Sequence, residues 1–377
     1  MKVEFYRHQL GDKNLQRLAR VLEGLFLTTG QETALFEERF AALVGQKHAL
    51  ALMSGTAALH LALLALGIGP GDEVITTPMT FVATSLAIMH TGARPIFVDV
   101  EPTTGNLDVS QVPAAITPRT KAILPVHLYG QMVDMRRLKA IAQEHNLFLI
   151  EDAAHCLEGE RDGVRVGELA DATCFSFYAT KSITCGEGGA ITTNHEFLLE
   201  PLKKLRWHGM STQAGDRQQG RYHHYDVEVE GWKYNLPNIL AALLIDQLPE
   251  VEARRQERER WARYYRDHLA DVPGLDLPVW LPGVKHGHHL FTIWVDPHHR
   301  DAILWQLQER GIGVAVNYRA NHLYTLFRER YGHREGDYPQ AELIGSRTIS
   351  LPLFPGLREE EAAYVAATVR EVVPAQG

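Results

Sequence analysis

The stretch "HALALMSGTAALHLALLALGIGPGDEVITTPMTFVATSLAIMHTGARPIFVDV", residues 48–100, alternates between two apolar patterns. Short apolar runs typical of buried strands alternate with longer runs typical of helices, and Gly, Pro or Asp marks each boundary. Strands that alternate with helices in this way predict a mainly parallel sheet with helices on both faces.

The same alternation continues toward the C-terminus. "TKAILPVHL" (120–128) and "LFLIEDAAH" (147–155) predict two further strands. Between them "DMRRLKAIAQEHN" (134–146) predicts a helix, because its apolar residues recur at the spacing of one buried helix face. The predicted fold class is therefore α/β.

The composition changes near residue 250. "PEVEARRQERERWARYYRDHL" (249–269) is a charged run that predicts a long, solvated helix linking two domains, and its arginines are a candidate local basic patch. The segments "HLFTIWVD" (289–296) and "RTISLPLFPGL" (347–357) fit strands of a smaller α/β unit. A chain of 377 residues exceeds the usual size of one core, so we expect a large domain over 1–250 and a small C-terminal domain over 251–377.

Charge and cysteine usage exclude several classes of protein. The net charge of −8 argues against a broad surface for nucleic-acid phosphates. The start of the chain carries no signal peptide or membrane span, so we expect a cytoplasmic protein with no membrane partner. Three cysteines, Cys156, Cys174 and Cys185, lack CxxC spacing and are interpreted as reduced, buried thiols.

A lysine follows a predicted strand in "TCFSFYATKSITCGEGGA", residues 173–190. Taken alone, Lys181 is most simply a surface cation. Its apolar and aromatic flank would desolvate the amine, which lowers the pKa and favours the nucleophilic neutral form. The glycines that follow allow close backbone approach.

Two other strand ends carry polar groups. Asp152 ends the strand of "LFLIEDAAH", where it either caps the next helix or, if the ligand is pyridoxal phosphate (PLP), keeps the pyridine nitrogen protonated. His155 follows three residues later. Ser54, Gly55 and Thr56 open a helix at a position that favours a phosphate, although any strand-to-helix turn favours such residues.

Other motifs are rejected. "GIGPGDEV" (67–74) precedes a strand and is interpreted as a turn, not as a dinucleotide site. The histidines of "KHGHHLF" (285–291) and "DPHHR" (296–300) lack the spacing of a zinc site. We interpret them as solvated or edge-strand residues and predict no metal.

Segments along almost the whole chain resemble the DegT-type sugar aminotransferases, which are PLP enzymes of fold type I, the aspartate aminotransferase fold. The most specific are "SGTAALHLALLALGIGPGDEVITTPMTFVAT" (54–84), "EDAAH" (151–155), "SFYATKSITCGEGGAITTN" (176–194) and "GWKYNLPNILAALLIDQL" (231–248). The resemblance implies a large domain with a mainly parallel, seven-stranded type of sheet and a smaller C-terminal domain.

By position, the resemblance implies that Lys181 is the Schiff-base lysine and Asp152 the partner of the pyridinium nitrogen. It also implies two further groups of cofactor contacts. The contacts to the phosphate are Gly55, Thr56, Ala57 and Ser176. The contacts to the ring are Phe81 and His155. Asn235 is expected to reach the phosphate of the neighbouring subunit, so that a homodimer shares its active sites.

The resemblance further implies transfer of an amino group from L-glutamate, through PLP and pyridoxamine phosphate (PMP), to a nucleotide-linked keto sugar, as in amino-sugar and polysaccharide biosynthesis. A 4-keto-6-deoxy sugar is expected. The candidate acceptor contacts are Tyr6, Arg7, Tyr318, Arg319 and His322; residues 317–322 differ from the pattern common in relatives. Relatives that act as dehydratases replace the lysine by histidine, so Lys181 favours amino transfer.

Three alternatives remain open from the residues. They are a transaminase acting on a carbocyclic ketone, a PLP-dependent sugar dehydratase, and a regulator that binds a ligand or DNA without catalysis. The acidic composition and the absence of a helix-turn-helix segment argue against the regulator.

Overall fold

The computed structural model describes residues 1–211 and 224–374. A seven-stranded sheet has the order β1-β9-β8-β5-β4-β2-β3. Its strands are β1 His48–Leu52, β2 Glu73–Thr76, β3 Arg94–Phe97, β4 Thr120–Ile123, β5 Phe148–Asp152, β8 Ala172–Ser176 and β9 Gly189–Thr193.

Two three-stranded sheets accompany it, with orders β10-β12-β13 and β11-β6-β7. Their strands are β6 Glu160–Arg161, β7 Val164–Arg165, β10 Leu275–Asp276, β11 Val284–Lys285, β12 Phe291–Val295 and β13 Thr348–Leu351. Both sheets are antiparallel throughout.

The helices within the described residues flank these sheets. They are α1 Asp12–Glu23, α2 Gln31–Val44, α3 Gly55–Ala65, α4 Val82–His90, α5 Met135–Glu144, α6 Glu196–Leu205, α7 Asn238–Ile245, α8 Val251–Leu269, α9 Arg300–Glu309, α10 Thr325–Tyr331, α11 Pro339–Arg347 and α12 Glu359–Val372. Across residues 1–211 and 224–374, no helix is long and apolar enough to span a membrane.

The large sheet confirms the predicted α/β class. The neighbouring strands β3, β2, β4, β5 and β8 pair in parallel, and β9 runs antiparallel to both β8 and β1. Parallel strands require crossover helices, which cover both faces and explain why strands such as β2 are buried along their whole length. Helix α5 buries the predicted face, with Met135, Leu138, Ile141 and Ala142 inside.

The charged helix α8 forms as predicted, but the expectation that it is solvated is wrong. Its buried side includes Arg254, Arg255 and Arg258, as well as Trp261 and Tyr265. Each of these arginines is paired with a glutamate, for example Arg258 with Glu158 at 2.7 Å. The run therefore does not form an open basic patch, because a stripe of paired cations and aromatic rings packs against the rest of the protein.

Val3 near the start of the sequence belongs to the hydrophobic core beside the β10-β12-β13 sheet. Val3 pairs with Ile312 and packs among the residues that α8, α9 and α12 contribute beside the β10-β12-β13 sheet. Arg7 donates hydrogen bonds to Glu361 of α12, the shorter at 2.6 Å. The division into 1–250 and 251–377 stays a prediction; residues 212–223 and 375–377 of these ranges lie outside the described residues.

Candidate active site

A cavity of about 520 Å³ opens at the carboxyl ends of the parallel strands. In an open α/β sheet this edge is where ligands bind. The predicted site residues that line the cavity are Gly55, Thr56, Phe81, Asp152, His155, Ser176, Lys181 and Tyr318. Four different strand ends and one distant loop thus bring their side chains to one space.

Lys181 lies in the connection between β8 and β9. Burial lowers the pKa of its amine to about 8, and the negative charge of Asp152 acts in the opposite direction. At neutral pH an appreciable fraction of the amine is therefore uncharged, which a nucleophile or a general base requires. Its Nζ lies 3.3 Å from Nε2 of His289.

Asp152 ends β5 and is 5 % exposed. Burial raises the pKa of its carboxyl group, against hydrogen bonds that favour the charged form. Those bonds come from the Thr84 hydroxyl (2.8 Å) and from the Ala154 N–H (3.1 Å). A cationic ring N–H beside this carboxylate would offset its burial.

The turn from β1 into α3 forms a cradle of backbone groups. Ser54 caps the helix, because its Oγ accepts the Ala57 N–H at 3.0 Å. A Cβ added at Gly55 would lie 3.0 Å from the Ser176 Cβ, and one at Gly189 would lie 2.6 Å from the Gly55 nitrogen. Side chains larger than hydrogen would therefore close the approach to a helix N-terminus whose N–H groups and dipole favour an anion.

Aromatic rings form the remaining walls. The Tyr318 hydroxyl lies 3.0 Å from Nε2 of His155, whereas Nδ1 of His155 is buried with no hydrogen-bond partner among the described residues. Burial, followed by the charge of Lys181, lowers the pKa of His155 well below its ordinary value. Phe81 is 57 % exposed on the cavity side and its ring lies 5.9 Å from that of Tyr318.

These residues fit PLP. A carboxylate suits the ring nitrogen, a helix N-terminus with hydroxyl groups suits the phosphate, and a partly deprotonated amine suits the aldehyde. All three handles surround one cavity that has exposed aromatic surface for the ring. His155 also lines this cavity, and its buried Nδ1 has no hydrogen-bond partner among the described residues.

Several predicted residues lie elsewhere. Arg7 is engaged with Glu4 and Glu361, and Tyr6 lines a separate small pocket on the other side of Lys181. Arg319 is exposed and lies over the Tyr324 ring. His322 is fully buried and its Nε2 lies 2.8 Å from Glu342. None of these four lines the main cavity within this chain.

Two predicted phosphate contacts also have local partners. The Ala57 N–H is already bonded to Ser54. Asn235 donates to the Thr29 hydroxyl at 2.6 Å, and its Oδ1 is buried without a partner among the described residues. Asn235 does not line the cavity of its own chain.

The sequence interpretation missed His289. The histidines of "KHGHHLF" are not solvated: His286, His288 and His289 are 9 %, 3 % and 7 % exposed. His289 lies two positions before the first residue of the apolar strand β12, and this position beside a buried strand is the signal that could have indicated its burial. Thr84, the partner of Asp152, had no sequence signal because the two are 68 positions apart.

Comparison with known proteins gives a consistent result. The DegT/DnrJ/EryC1/StrS aminotransferase family matches residues 8–370. The spore coat polysaccharide biosynthesis protein SpsC of Bacillus subtilis is 41 % identical over 371 residues, which is 97 % of this chain and 95 % of SpsC.

Solved structures match at full length. PseC of Helicobacter pylori, an aminotransferase involved in the biosynthesis of pseudoaminic acid, has a TM-score of 0.92 and 30 % identity over 100 % of both chains. Spr1654 of Streptococcus pneumoniae, in its PLP form, has a TM-score of 0.92 and 28 % identity over 100 % of this chain and 99 % of the other; it is also known in a PMP form.

Proposed function

The chain belongs to the DegT/DnrJ/EryC1/StrS aminotransferase family, and from this premise we propose that it moves an amino group from L-glutamate to a nucleotide-linked keto sugar. It is a PLP-dependent aminotransferase. SpsC is named for polysaccharide biosynthesis and PseC for the biosynthesis of pseudoaminic acid, and both names support a sugar as the acceptor. The observation that carries the proposal is the meeting of Lys181, Asp152 and the α3 cradle around one cavity.

Lys181 is proposed as the residue that binds the cofactor and moves protons. Bound PLP supplies an electron sink that makes the Cα proton of an amino donor acidic. The Lys181 amine, with a pKa lowered to about 8, would take that proton from Cα and deliver it to the cofactor carbon that is bonded to the nitrogen. With the second substrate, Lys181 carries out the same proton transfer in the opposite direction, so we expect ping-pong kinetics.

The other walls are proposed to hold and tune the cofactor. The Asp152 carboxylate, fixed by Thr84 and the Ala154 N–H, would hold the ring nitrogen in its protonated form. Gly55, Thr56 and Ser176, which line the cavity, would bind the phosphate, and Ala57 would join them by giving up its N–H bond to Ser54. Phe81 and His155 would contact the ring from the cavity walls.

We propose that two copies of the chain share each active site. Among the described residues, Lys181 is the one lysine or arginine that lines the cavity, whereas a dicarboxylate donor and a diphosphate acceptor carry several negative charges. A second copy supplies the missing cations and the Asn235 contact to the phosphate. The exposed apolar side chains Leu15, Leu22, Leu25, Phe26 and Leu27 provide a surface for that copy.

Two further proposals concern the location of the enzyme and its division into domains. We propose that the enzyme works in the cytoplasm, which the three free, buried cysteines support, since such thiols suit a reducing compartment. We also propose that residues 1–250 form the cofactor domain and 251–377 the smaller domain, with the segment around Val3 and Arg7 reaching across to pack on the smaller one.

The test is a panel of nucleotide-linked keto sugars, including 4-keto-6-deoxy sugars, incubated with PLP-loaded enzyme and glutamate carrying a heavy nitrogen isotope. Mass spectrometry should find that nitrogen in a sugar product. If the labelled nitrogen is found in the product of a carbocyclic ketone but in no sugar, the acceptor is a carbocyclic ketone instead of a keto sugar. A dehydrated sugar without nitrogen would indicate a dehydratase, and a bound yellow cofactor that glutamate does not bleach would indicate a regulator.

A further inference from the structure

His289 is a buried histidine beside the reacting amine. Its Nε2 lies 3.3 Å from Nζ of Lys181, and it lines both the main cavity and the smaller pocket on the other side of that lysine. Its ring centroid lies 4.4 Å from that of His155. The ring therefore occupies the wall against which the free end of Lys181 rests.

The backbone around His289 is fixed by buried groups from other parts of the chain. The His289 N–H donates to the Tyr129 carbonyl at 3.1 Å. Two residues earlier, the Gly287 carbonyl accepts two hydrogen bonds from Arg258, at 3.1 and 3.3 Å. Arg258 is itself paired with Glu158, and the two side chains are 4 % and 2 % exposed. A rigid support of this kind holds a ring in one position.

The surroundings keep His289 neutral. Burial comes first, followed by the charge of Lys181 and the neighbouring His155 and Arg258, and together they lower its pKa well below the ordinary value. A neutral imidazole has one ring nitrogen that accepts a hydrogen bond and one that donates. With the proton on Nδ1, Nε2 accepts an N–H from Lys181 whether that amine is charged or neutral.

A free lysine amine needs such a partner. When the amine is not bonded to the cofactor, its flexible stem could carry it through a cavity of about 520 Å³ or toward Asp152. One N–H given to His289 fixes Nζ and leaves the lone pair of the neutral amine free for carbon or for a proton. We propose that His289 is a positioning residue that holds the released Lys181 amine beside the reacting centre. This inference rests on the role proposed for Lys181.

Two polar substitutions of His289 separate the effect of a hydrogen bond to Lys181 from the effect of a polar side chain that does not contact it. In His289→Gln the amide stands near the place of Nε2 and reaches Lys181, whereas in His289→Asn it stands near Nδ1 and does not. The first readout is the rate at which cofactor-free protein attaches PLP covalently, followed by absorbance and by borohydride reduction. The second is the half-reaction with glutamate, with and without deuterium on Cα.

We expect His289→Asn to slow both reactions about 100-fold, the usual cost of misplacing a reacting group by about 1 Å, and to increase the deuterium isotope effect. His289→Gln should stay within about tenfold of the parent protein. His286→Asn is the matched control, because its amide oxygen can replace Nδ1 as the acceptor for the His288 N–H, and it should behave as the parent protein does.

Parent-like rates and isotope effect in His289→Asn would overturn the inference, as would a His289→Gln protein that is as slow as His289→Asn. The failure of the proposed function looks different. In that case, borohydride would fix PLP in the unmodified protein to a residue other than Lys181, whatever the two variants do.

Discussion

The cavity has two sides that the chain builds in different ways. One side, which we call the cofactor wall, consists of Ser54, Asp152, His155, Ser176 and Lys181, and all five face the cavity. The other side is the acceptor loop, residues 317–323. Of its residues, Asn317 and Tyr318 line the cavity, but Asn321 and His322 point into the protein.

The difference comes from what holds each side. The cofactor wall stands at or just beyond the carboxyl ends of strands that run in the same direction, and the sheet places these ends along one edge. The acceptor loop is held by contacts to residues that are scattered along the chain: Asn321 donates to Ser85 at 2.9 Å, and His322 lies beside Glu342. A polar residue in such a loop can serve the loop itself instead of a ligand.

Replacing Lys181 tests the wall most severely. Lys181→Ala should reduce turnover by at least about 10⁴-fold, because both the covalent link and the proton carrier are lost. Borohydride should no longer fix PLP to the protein. Circular dichroism should be unchanged. A variant that keeps activity and the reducible link to PLP would show that Lys181 is not the lysine that binds the cofactor.

Asp152→Asn keeps the shape of the wall and removes its charge. We expect the half-reaction with glutamate to fall about 10²–10³-fold, as when a single electrostatic group is removed from an active site. Rapid-mixing absorbance measures this rate. Thr84→Val removes one hydrogen bond to the same carboxylate and should show a smaller loss; an Asp152→Asn protein with normal proton transfer would contradict the role of the charge.

Tyr318→Phe tests the one acceptor-loop ring that meets the wall. Loss of its hydrogen bond with His155 should lower kcat/KM by about 3–10-fold, equivalent to about 0.5–1.5 kcal/mol. Steady-state kinetics with each substrate should show a larger effect for the acceptor than for glutamate. Equal effects on both half-reactions would assign the tyrosine to the cofactor side.

His322→Asn should change stability and leave activity per folded molecule nearly unchanged. Its amide stands near Nδ1 and does not reach Glu342, so the loss of this hydrogen bond to a carboxylate should cost about 1–3 kcal/mol, which urea denaturation measures. A large rise in KM for the acceptor with unchanged stability would instead make His322 a ligand contact.

The same pair gives a pH prediction. Burial acts to raise the pKa of Glu342, but hydrogen bonds from the Gly336 N–H, His322 and the Tyr338 N–H lower it overall. A carboxylate with a folded-state pKa below its unfolded value contributes stability above about pH 4.5, and loses it as the pH falls through the folded pKa. His322→Asn, which removes one of these hydrogen bonds, should therefore show a shallower loss of stability between neutral and acidic pH.

The sequence predicts the wall better than the loop for a physical reason. Lys181, Asp152 and the turn at Gly55 each adjoin a strand with a clear apolar pattern, and strands that run in the same direction end at the same edge of the sheet. The burial of His322 depends on Glu342, in a helix whose packing no local pattern reveals. His289 was assigned to solvent because its histidine-rich surroundings conceal the start of a buried strand.

Helix α8 also shows why burial is hard to predict from the sequence. Its charge predicted a solvated element, but the carbon stems of arginine side chains cover apolar surface when glutamates neutralise their ends. Composition alone does not distinguish a solvated helix from one with an ion-paired buried face. The aromatic residues Trp261 and Tyr265, spaced four apart, were the indication of burial.

The placement of Val3 and Arg7 bears on how the protein is made. Because Val3 pairs with Ile312 and Arg7 with Glu361, these two residues are synthesised about 300 residues or more before their partners. Phe5 lies between them and lines the cavity, so this pocket wall is completed only after synthesis has passed residue 312. A nascent chain stalled before residue 312 could assemble the large sheet, but it would leave the pocket open on that side.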